Sequence, residues 1–447
     1  MTSGAPVRGN DSKQARRAAF GALAGSAIEW YDFFIYGTAA ALVLGDLFFP
    51  GDNEAVKIAS SLATFAIGFL LRPIGAILFG YIGDRVSRNT SLMITLVMMG
   101  GSTMAIGLLP TYHTIGIAAP IILLILRCIQ GLSVGGEWGG AVLVASESAP
   151  LHRKVLAASM SQAGAPLGTI MSTLVFLPLS NSDVLYTWGW RVPFLLSAVL
   201  VFVGYIIRNK LEENPEFVQA KKRAAKTKRK APLVEVLRHF PVTSLLVFLA
   251  SFAVSGVYFR STFALAWATN TLHIDKQLFL NALLFGAVIQ LILTPTAALI
   301  ADRIGVAKAH IAWTAIYLVV APFPLMGFIA TQDPMMIVIG ILLSYLGHSL
   351  YYATLSGYLS TLFPPEVRFT GISFGYQMAG SLISSSMPLI AVRLVGADGH
   401  NILPVQLLYS ALIAISLLAA ILGPKSAQRE ASKYAEVQKK ESEAAVV

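Results

Sequence analysis

Apolar stretches long enough to cross a lipid bilayer recur about twelve times in this chain, and no other feature limits its fold so tightly. They fall at 19–44, 58–81, 91–111, 117–143, 156–179, 191–208, 241–268, 278–301, 309–331, 335–362, 369–394 and 402–423. Each is close to the ~20 residues a helix needs to span hydrocarbon. Inside lipid every backbone N–H and C=O must find its partner within the protein, which makes helices the economical reading for such lengths. Composition agrees: of 447 residues 55% are hydrophobic and 13% charged, with mean hydropathy +0.68, whereas soluble domains carry about 25% charged residues. The sequence predicts an all-α, multi-pass membrane protein.

The N-terminus, MTSGAPVRGNDSKQARRAAF, is polar and basic and lacks a short apolar region followed by a small-residue cleavage site, so the first span is expected to be retained. A single cysteine, Cys128, rules out an intramolecular disulfide. The net charge of +10 is distributed as topology demands. Of 33 Lys and Arg, 26 fall in the termini and even-numbered connections, 4 on the opposite face (Lys57, Arg191, Lys276, Arg393) and 3 inside spans. That asymmetry places both termini in the cytoplasm. The run KKRAAKTKRK at 221–230 then reads as a solvated loop facing lipid headgroups, and no nucleic-acid partner is expected.

The longest polar interruption, about 209–234, divides the spans into two sets of six. The predicted organisation is a tail (1–18), a six-helix bundle (19–208), a basic linker (209–234), a second bundle (235–423) and a C-terminal tail (424–447). The tail SAQREASKYAEVQKKESEAAVV is short and without sustained heptads, so no long regulatory coiled coil is expected. The halves share landmarks: GYIGDRVSR (80–88) and ALIADRIGV (298–306) each follow the second span of their half, placing Asp84-Arg85 and Asp302-Arg303 218 residues apart. Pro150, Arg153 and Gln162 likewise match Pro365, Arg368 and Gln377 at an offset of 215. Duplicated halves facing one another across a midplane cavity are a common build for secondary transporters.

GYIGDRVSR resembles the loop signature of the major facilitator superfamily, with Ser87 and Asn89 in place of its usual Gly and final base. Together with GSAIEWYDFFIYG, LLRPIGAILFG, RCIQGLSVGGEWGGAVLVASESAP, WGWRVPFL and FPPEVRFTGISFGYQ it resembles the metabolite:proton symporter family within that superfamily, over residues 18–420. The resemblance implies twelve transmembrane helices in two pseudo-symmetric six-helix bundles. It also implies transport of shikimate, α-ketoglutarate, citrate or other organic acids, or of proline or betaine.

Ionisable residues within the spans are the candidate site. Counted from Arg17 at ~1.5 Å per residue, Glu29 lies roughly 18 Å and Asp32 roughly 22 Å along the first helix, on one face at i, i+3 spacing. Burial disfavours a charged carboxylate and a neighbouring Arg favours it, so a moving substrate can switch the balance. Asp32, flanked by Tyr31 and Tyr36, is the first candidate proton carrier and Glu29 the second; the alternative is a structural pair that fixes helix packing. Arg127, near mid-depth in the fourth span with Gln130 one turn on, is either a counter-ion to Asp32 or a fork for a substrate anion. Arg72 precedes Pro73, which suggests a kink, and serves either in ion pairing or in function. In the second half, Arg260 either snorkels outward or clamps a substrate carboxylate with Tyr258 and Trp267 nearby, and His348 either packs or binds. With Glu137 these acids and bases sum to zero charge, as pairing across a polar cavity requires.

At the cytoplasmic ends, Asp84, Arg85, Glu137, Arg153, Asp302 and Arg303 are candidate gate residues. Gly131, Gly135 and Gly139 in GLSVGGEWGGA recur every fourth residue, a face that lets another helix approach closely. That stretch lacks the Gly-Lys-Ser/Thr ending of a nucleotide loop, and no nucleophile motif or metal-ligand spacing occurs. The expectation is therefore a non-enzymatic, monomeric importer of a small organic anion, with the proton as coupling ion and no cofactor or metal. A zwitterion is the alternative substrate. Antiport export is a further alternative, since GAPLG (164–168) faintly matches an antiporter signature but for Ala165.

Overall fold

The computed structural model describes residues 10–51, 53–85, 88–135, 142, 145–146, 149–180, 182–209, 232–364, 367–396 and 398–444. Among these no strand occurs, and helices occupy all twelve expected positions. They are α1 (Asn10–Leu42), α2 (Glu54–Leu70 continuing as Arg72–Arg85), α3 (Arg88–Leu108), α4 (Ala118–Val134), α5 (Lys154–Gln162 and Gly164–Phe176) and α6 (Arg191–Asn209). The second half holds α7 (Pro241–Ala250 through Trp267–Thr271), α8 (Lys276–Ile304), α9 (Val306–Val320 and Pro322–Ala330), α10 (Pro334–Ser360), α11 (Arg368–Ala379 through Met387–Val395) and α12 (Leu403–Ala444). Eight of them are by themselves long and apolar enough to cross a bilayer.

Caps and breaks follow local chemistry. Asp275 accepts from the Leu278 N–H, and Asp333 from the N–H groups of Met335 and Met336, so α8 and α10 begin on satisfied donors. Arg191, at the start of α6, donates to the Gly107 and Leu109 carbonyls (2.8 and 2.7 Å) at the end of α3. The helix breaks at Leu71, next to the Arg72-Pro73 pair, as the proline suggested. Helix α7 contains a 3₁₀ segment (Phe252–Ser255) and wide π turns at Phe259–Phe263 and Trp267–Thr271, and α11 has one at Gly380–Ser384. Such turns change the direction of the side chains that follow them.

Close backbone approaches set the N-terminal bundle. A Cβ on Gly131 of α4 would lie 2.0 Å from the Gly68 carbonyl oxygen of α2. In α5, Gly164 and Gly168 of GAPLG lie against α1 at Ser26 and Trp30, where a Cβ would come within 2.5 and 2.7 Å. That motif is thus a packing face for α1. Of the three glycines expected to pack, Gly131 does so, Gly135 offers its carbonyl to the other half (below), and Gly139 lies outside the described residues.

The C-terminal segment expected as a tail continues α12 as helix to Ala444. It lies along the short helix Pro232–His239, with Tyr434 donating to Glu235 at 2.5 Å and packed edge-on against Phe240. The Glu430 carboxylate accepts from the Val242 and Thr243 N–H groups (3.1 and 3.0 Å), closing the first turn of α7.

Replacing Gly131 with Val should force α4 away from α2 and cost about 1–3 kcal/mol, the usual range for overpacking. The check is thermal unfolding of the detergent-purified protein, where the variant should melt several degrees lower, by roughly 2–4 °C per kcal/mol.

Candidate functional site

Arg127 is 3% exposed in the N-terminal bundle, and burying a guanidinium there requires acceptors. The tight contact of α4 with α2 supplies them. Its Nη2 donates to the Phe65 carbonyl at 3.0 Å, its Nε to the Thr64 carbonyl at 3.4 Å, and its Nη1 to Gln130 Oε1 at 2.9 Å. Its Cζ lies 3.9 Å from the centre of the Tyr36 ring, a cation–π contact. Space for it exists because position 68 is glycine; a Cβ there would sit 2.6 Å from Nη2.

From Arg127 a chain of hydrogen bonds leads to Asp32. Gln130 Nε2 donates to Thr103 Oγ1 at 2.6 Å, and Thr103 Oγ1 lies 3.1 Å from Asp32 Oδ2 and 2.9 Å from the Met99 carbonyl. The threonine has one proton and two acceptors. Asp32 is 3% exposed, and its Oδ1 has no hydrogen-bond partner among the described residues. Asp32 and Arg127 therefore do not touch; Thr103 and Gln130 stand between them. Asp32, Arg127, Gln130 and Glu29 line one small cavity.

A second cavity lies between the halves. Glu29, Trp30 and Arg72 line it from the first half and Tyr258, Tyr376 and Gln377 from the second. Glu29 borders both cavities, in keeping with its place on the Asp32 face of α1. Tyr258 reaches across and packs edge-on against Phe33, Phe65 and Phe69 (ring centres 5.4, 5.9 and 5.4 Å away). Arg72 stacks over Phe69 at 4.0 Å and Phe33 at 5.2 Å.

Several expected site residues lie elsewhere. Tyr31 donates to the Pro193 carbonyl of α6 at 2.8 Å and faces away from the cavities. Tyr36 is the platform under Arg127, and its hydroxyl is 2.5 Å from Thr64 Oγ1, so it holds the arginine rather than a ligand. Arg260 neither snorkels outward nor lines the cavity between the halves. It is buried inside the C-terminal bundle, stacked 3.5 Å over Tyr345 and bonded to Ser344 at 3.3 Å. His348 stands one layer behind the cavity, with Nδ1 3.1 Å from Gln290 and its ring on Tyr352, whose hydroxyl meets that of Tyr376 at 3.2 Å.

The halves touch on both sides of the site. Towards the linker, Asp302 accepts from the Val155 and Leu156 N–H groups (3.0 and 3.1 Å), so a carboxylate of the second half seats on the N-terminus of α5. Arg153 and Arg303 beside it are exposed. Gln162 donates to the Tyr352 carbonyl (3.5 Å) and Gln377 to the Gly135 carbonyl (3.4 Å). These long bonds join matched glutamines to helices that occupy matched places, so the repeat read in the sequence is also a repeat of contacts. On the far side Asn270 donates to the Ala41 carbonyl at 2.8 Å, and Lys276 to Tyr186 at 2.6 Å. Glu137 lies outside the described residues, as do the side chains of Asp84 and Arg85.

Sequence reasoning missed Thr103, Tyr376 and the placing of Arg72. Thr103 is one of many hydroxyls in apolar runs and carries no local signal, and Tyr376 is one of several aromatic residues near the span ends. Gln377 was visible as a repeat landmark, though not as a cavity residue.

Residues 18–235 match the model of the sugar (and other) transporter family. The chain is 38% identical over 421 residues to the shikimate transporter of Escherichia coli, covering 93% of this chain and 96% of that protein. It is 38% identical over 408 residues to an inner membrane metabolite transport protein of the same organism, covering 90% and 92%. A Staphylococcus aureus protein assigned as a proline/betaine transporter is 32% identical over 406 residues, covering 88% and 85%. Among solved structures, a D-xylose-proton symporter superposes with TM-score 0.69 at 19% identity over 92% of this chain and 97% of that one, a likeness of fold.

Replacing Asp302 with Ala removes the charged acceptor from two N–H groups, a loss of about 1.5–3 kcal/mol per charged contact. Spin labels at the exposed positions 153 and 308 should then report a longer-distance population increased by about ten-fold or more. An unchanged distance distribution would mean that this contact does not hold the halves together.

Proposed function

The chain belongs to the major facilitator superfamily, in the family that holds the shikimate and proline/betaine transporters, and we propose that it imports a small organic acid together with protons. It is a membrane transporter of small molecules, not an enzyme. We assign it to the inner membrane, where its Escherichia coli relative resides, with both termini in the cytoplasm on the strength of the basic residues gathered on that face.

The observation that supports proton coupling is the chain Asp32–Thr103–Gln130–Arg127. A direct Asp–Arg ion pair would lock the acid in its charged form. A chain of neutral hydrogen bonds leaves both forms accessible, because Thr103 can turn its single proton. With Asp32 ionised, the hydroxyl donates to Oδ2; with Asp32 neutral, it turns to the Met99 carbonyl and still accepts from Gln130. Glu29, which borders both cavities, is the second proton site and passes the change of charge towards the substrate cavity. Arg127 and Gln130 set the charge balance of the site, and the substrate sits between the halves. With substrate and proton aboard, the site is neutral enough for the halves to rock about it while Asp302 releases α5. The inward proton gradient gives the direction, import.

One observation favours a zwitterion such as proline or betaine instead: Glu29 and Arg72 share the cavity between the halves, an acid and a base in one site.

Proteoliposomes loaded with a pH-sensitive dye test the reading. An organic acid added outside should acidify the lumen, and Asp32→Asn should abolish that signal while radiolabelled substrate still exchanges. Thr103→Val should slow acidification by about ten-fold, since it removes the turning hydroxyl but keeps the acid. Equal acidification by the wild type and Asp32→Asn would exclude Asp32 as the proton carrier.

A further inference from the structure

Three arginines are buried or half-buried in the membrane region, and they differ in what they have left to offer. Arg127 gives each of its three guanidinium nitrogens to a protein acceptor and its face to Tyr36. Arg260 lies within the second bundle, against Ser344 and Tyr345. Arg72 lines the cavity that both halves build; its Nε, like that of Arg260, has no hydrogen-bond partner among the described residues, but only the Arg72 guanidinium faces that cavity. The helix breaks at Leu71, immediately before this residue, and the rings of Phe69 and Phe33 lie against its guanidinium.

Opposite Arg72 the second half presents neutral hydrogen-bonding groups. Tyr258 is 2% exposed and lines the cavity. Tyr376 and Gln377 lie beside it on the cavity wall. Trp30 and Phe69 supply flat apolar faces, and Glu29 stands on the Arg72 side. A planar guanidinium with rings beneath it suits a carboxylate, and the phenols and the amide suit hydroxyl groups on the rest of the ligand. A second carboxylate would meet Glu29 in a site that excludes most water, where like charges repel strongly. A trimethylammonium group has no hydrogen to give, and it would bring no donor to the Tyr258 hydroxyl or to the side-chain oxygen of Gln377.

We infer that Arg72, not Arg127 or Arg260, holds the substrate carboxylate, and that the cavity between the halves takes a hydroxylated monocarboxylate while Glu29 turns away dicarboxylates. This rests on the organic-acid reading above and chooses between its substrate classes. Substrate is then held across the interface, by Arg72 on one half and by Tyr258, Tyr376 and Gln377 on the other. Gln377 also bonds to Gly135, so ligand contact and closure of the halves share one side chain.

The test is binding to the purified full chain in nanodiscs, read by tryptophan fluorescence, since Trp30 lines the cavity. Proton movement is not read, so a failure of the coupling scheme leaves this result intact. The probes are shikimate as a hydroxylated monocarboxylate, its methyl ester, succinate and glycine betaine. The wild type should bind shikimate more tightly than its ester by about 10- to 100-fold, the scale of a hydrogen-bonded charge. In Arg72→Gln that ratio should fall to about one, and in Arg72→Lys to an intermediate value. Because the ratio compares two ligands on one protein, a general loss of stability does not alter it. Glu29→Gln should strengthen succinate relative to shikimate by about ten-fold. A ratio that survives in Arg72→Gln would place the carboxylate elsewhere. Tighter binding of succinate or betaine than of shikimate by the wild type, or no binding of shikimate at all, would overturn the ligand class.

Discussion

A guanidinium cannot shed its proton at any pH the cell meets, so a buried arginine obliges the surrounding structure to supply acceptors for it. Much of the first bundle's local geometry answers that demand at Arg127. The glycines at 68 and 131 bring α2 and α4 close enough for the carbonyls of Thr64 and Phe65 to serve as acceptors, and the ring of Tyr36 covers the remaining face. Gln130 accepts from Nη1 and hands the polarisation on through Thr103 to Asp32. Asp32 thereby belongs to a network with a fixed positive end and a titratable negative one, and it is insulated from direct contact with the cation.

The division of labour between the two cavities follows from the wall that separates them. Phe33, Phe65, Phe69 and Tyr258 form an aromatic cluster between the Arg127 network and the space shared by the halves, and Tyr258 is the member contributed by the second half. A movement of the second half against the first would carry Tyr258 with it and remake the cluster. Glu29 and Arg72, an acid and a base, line both cavities, and there charge on one side is felt on the other.

The spans, their number and their division into halves were legible because hydropathy over ~20 residues is set by the bilayer and needs no tertiary information. Depth was legible too: Asp32 and Arg127 both proved central to one network. Direction around the helix was less well read, although part of it was available. Tyr31 and Tyr36 are five residues apart, about 140° around a helix at ~100° per residue, so both could not flank Asp32; Tyr36, about 40° from Asp32, shares its face. Tyr258 and Arg260 are about 200° apart by the same count, which sends one towards the first half and the other into its own bundle. The π turns of α7 and the partner role of Thr103 were beyond sequence reasoning, because both depend on which helices lie alongside. That the C-terminal segment continues α12 as helix and meets the linker helix through Tyr434 and Glu235 required the folded arrangement.

The first turn of α7 is closed by Glu430, a residue 188 positions further along the chain than Val242. During synthesis α7 therefore leaves the ribosome long before its N-terminal donors have their acceptor, and the second bundle waits in the membrane with its opening helix uncapped. Only when the chain has been made past Glu430 can that helix end be sealed. Synthesis of Glu430 and sealing of the second bundle thus become one event, and a transcript broken before that codon would yield a half-finished carrier that quality control could recognise by its open helix end.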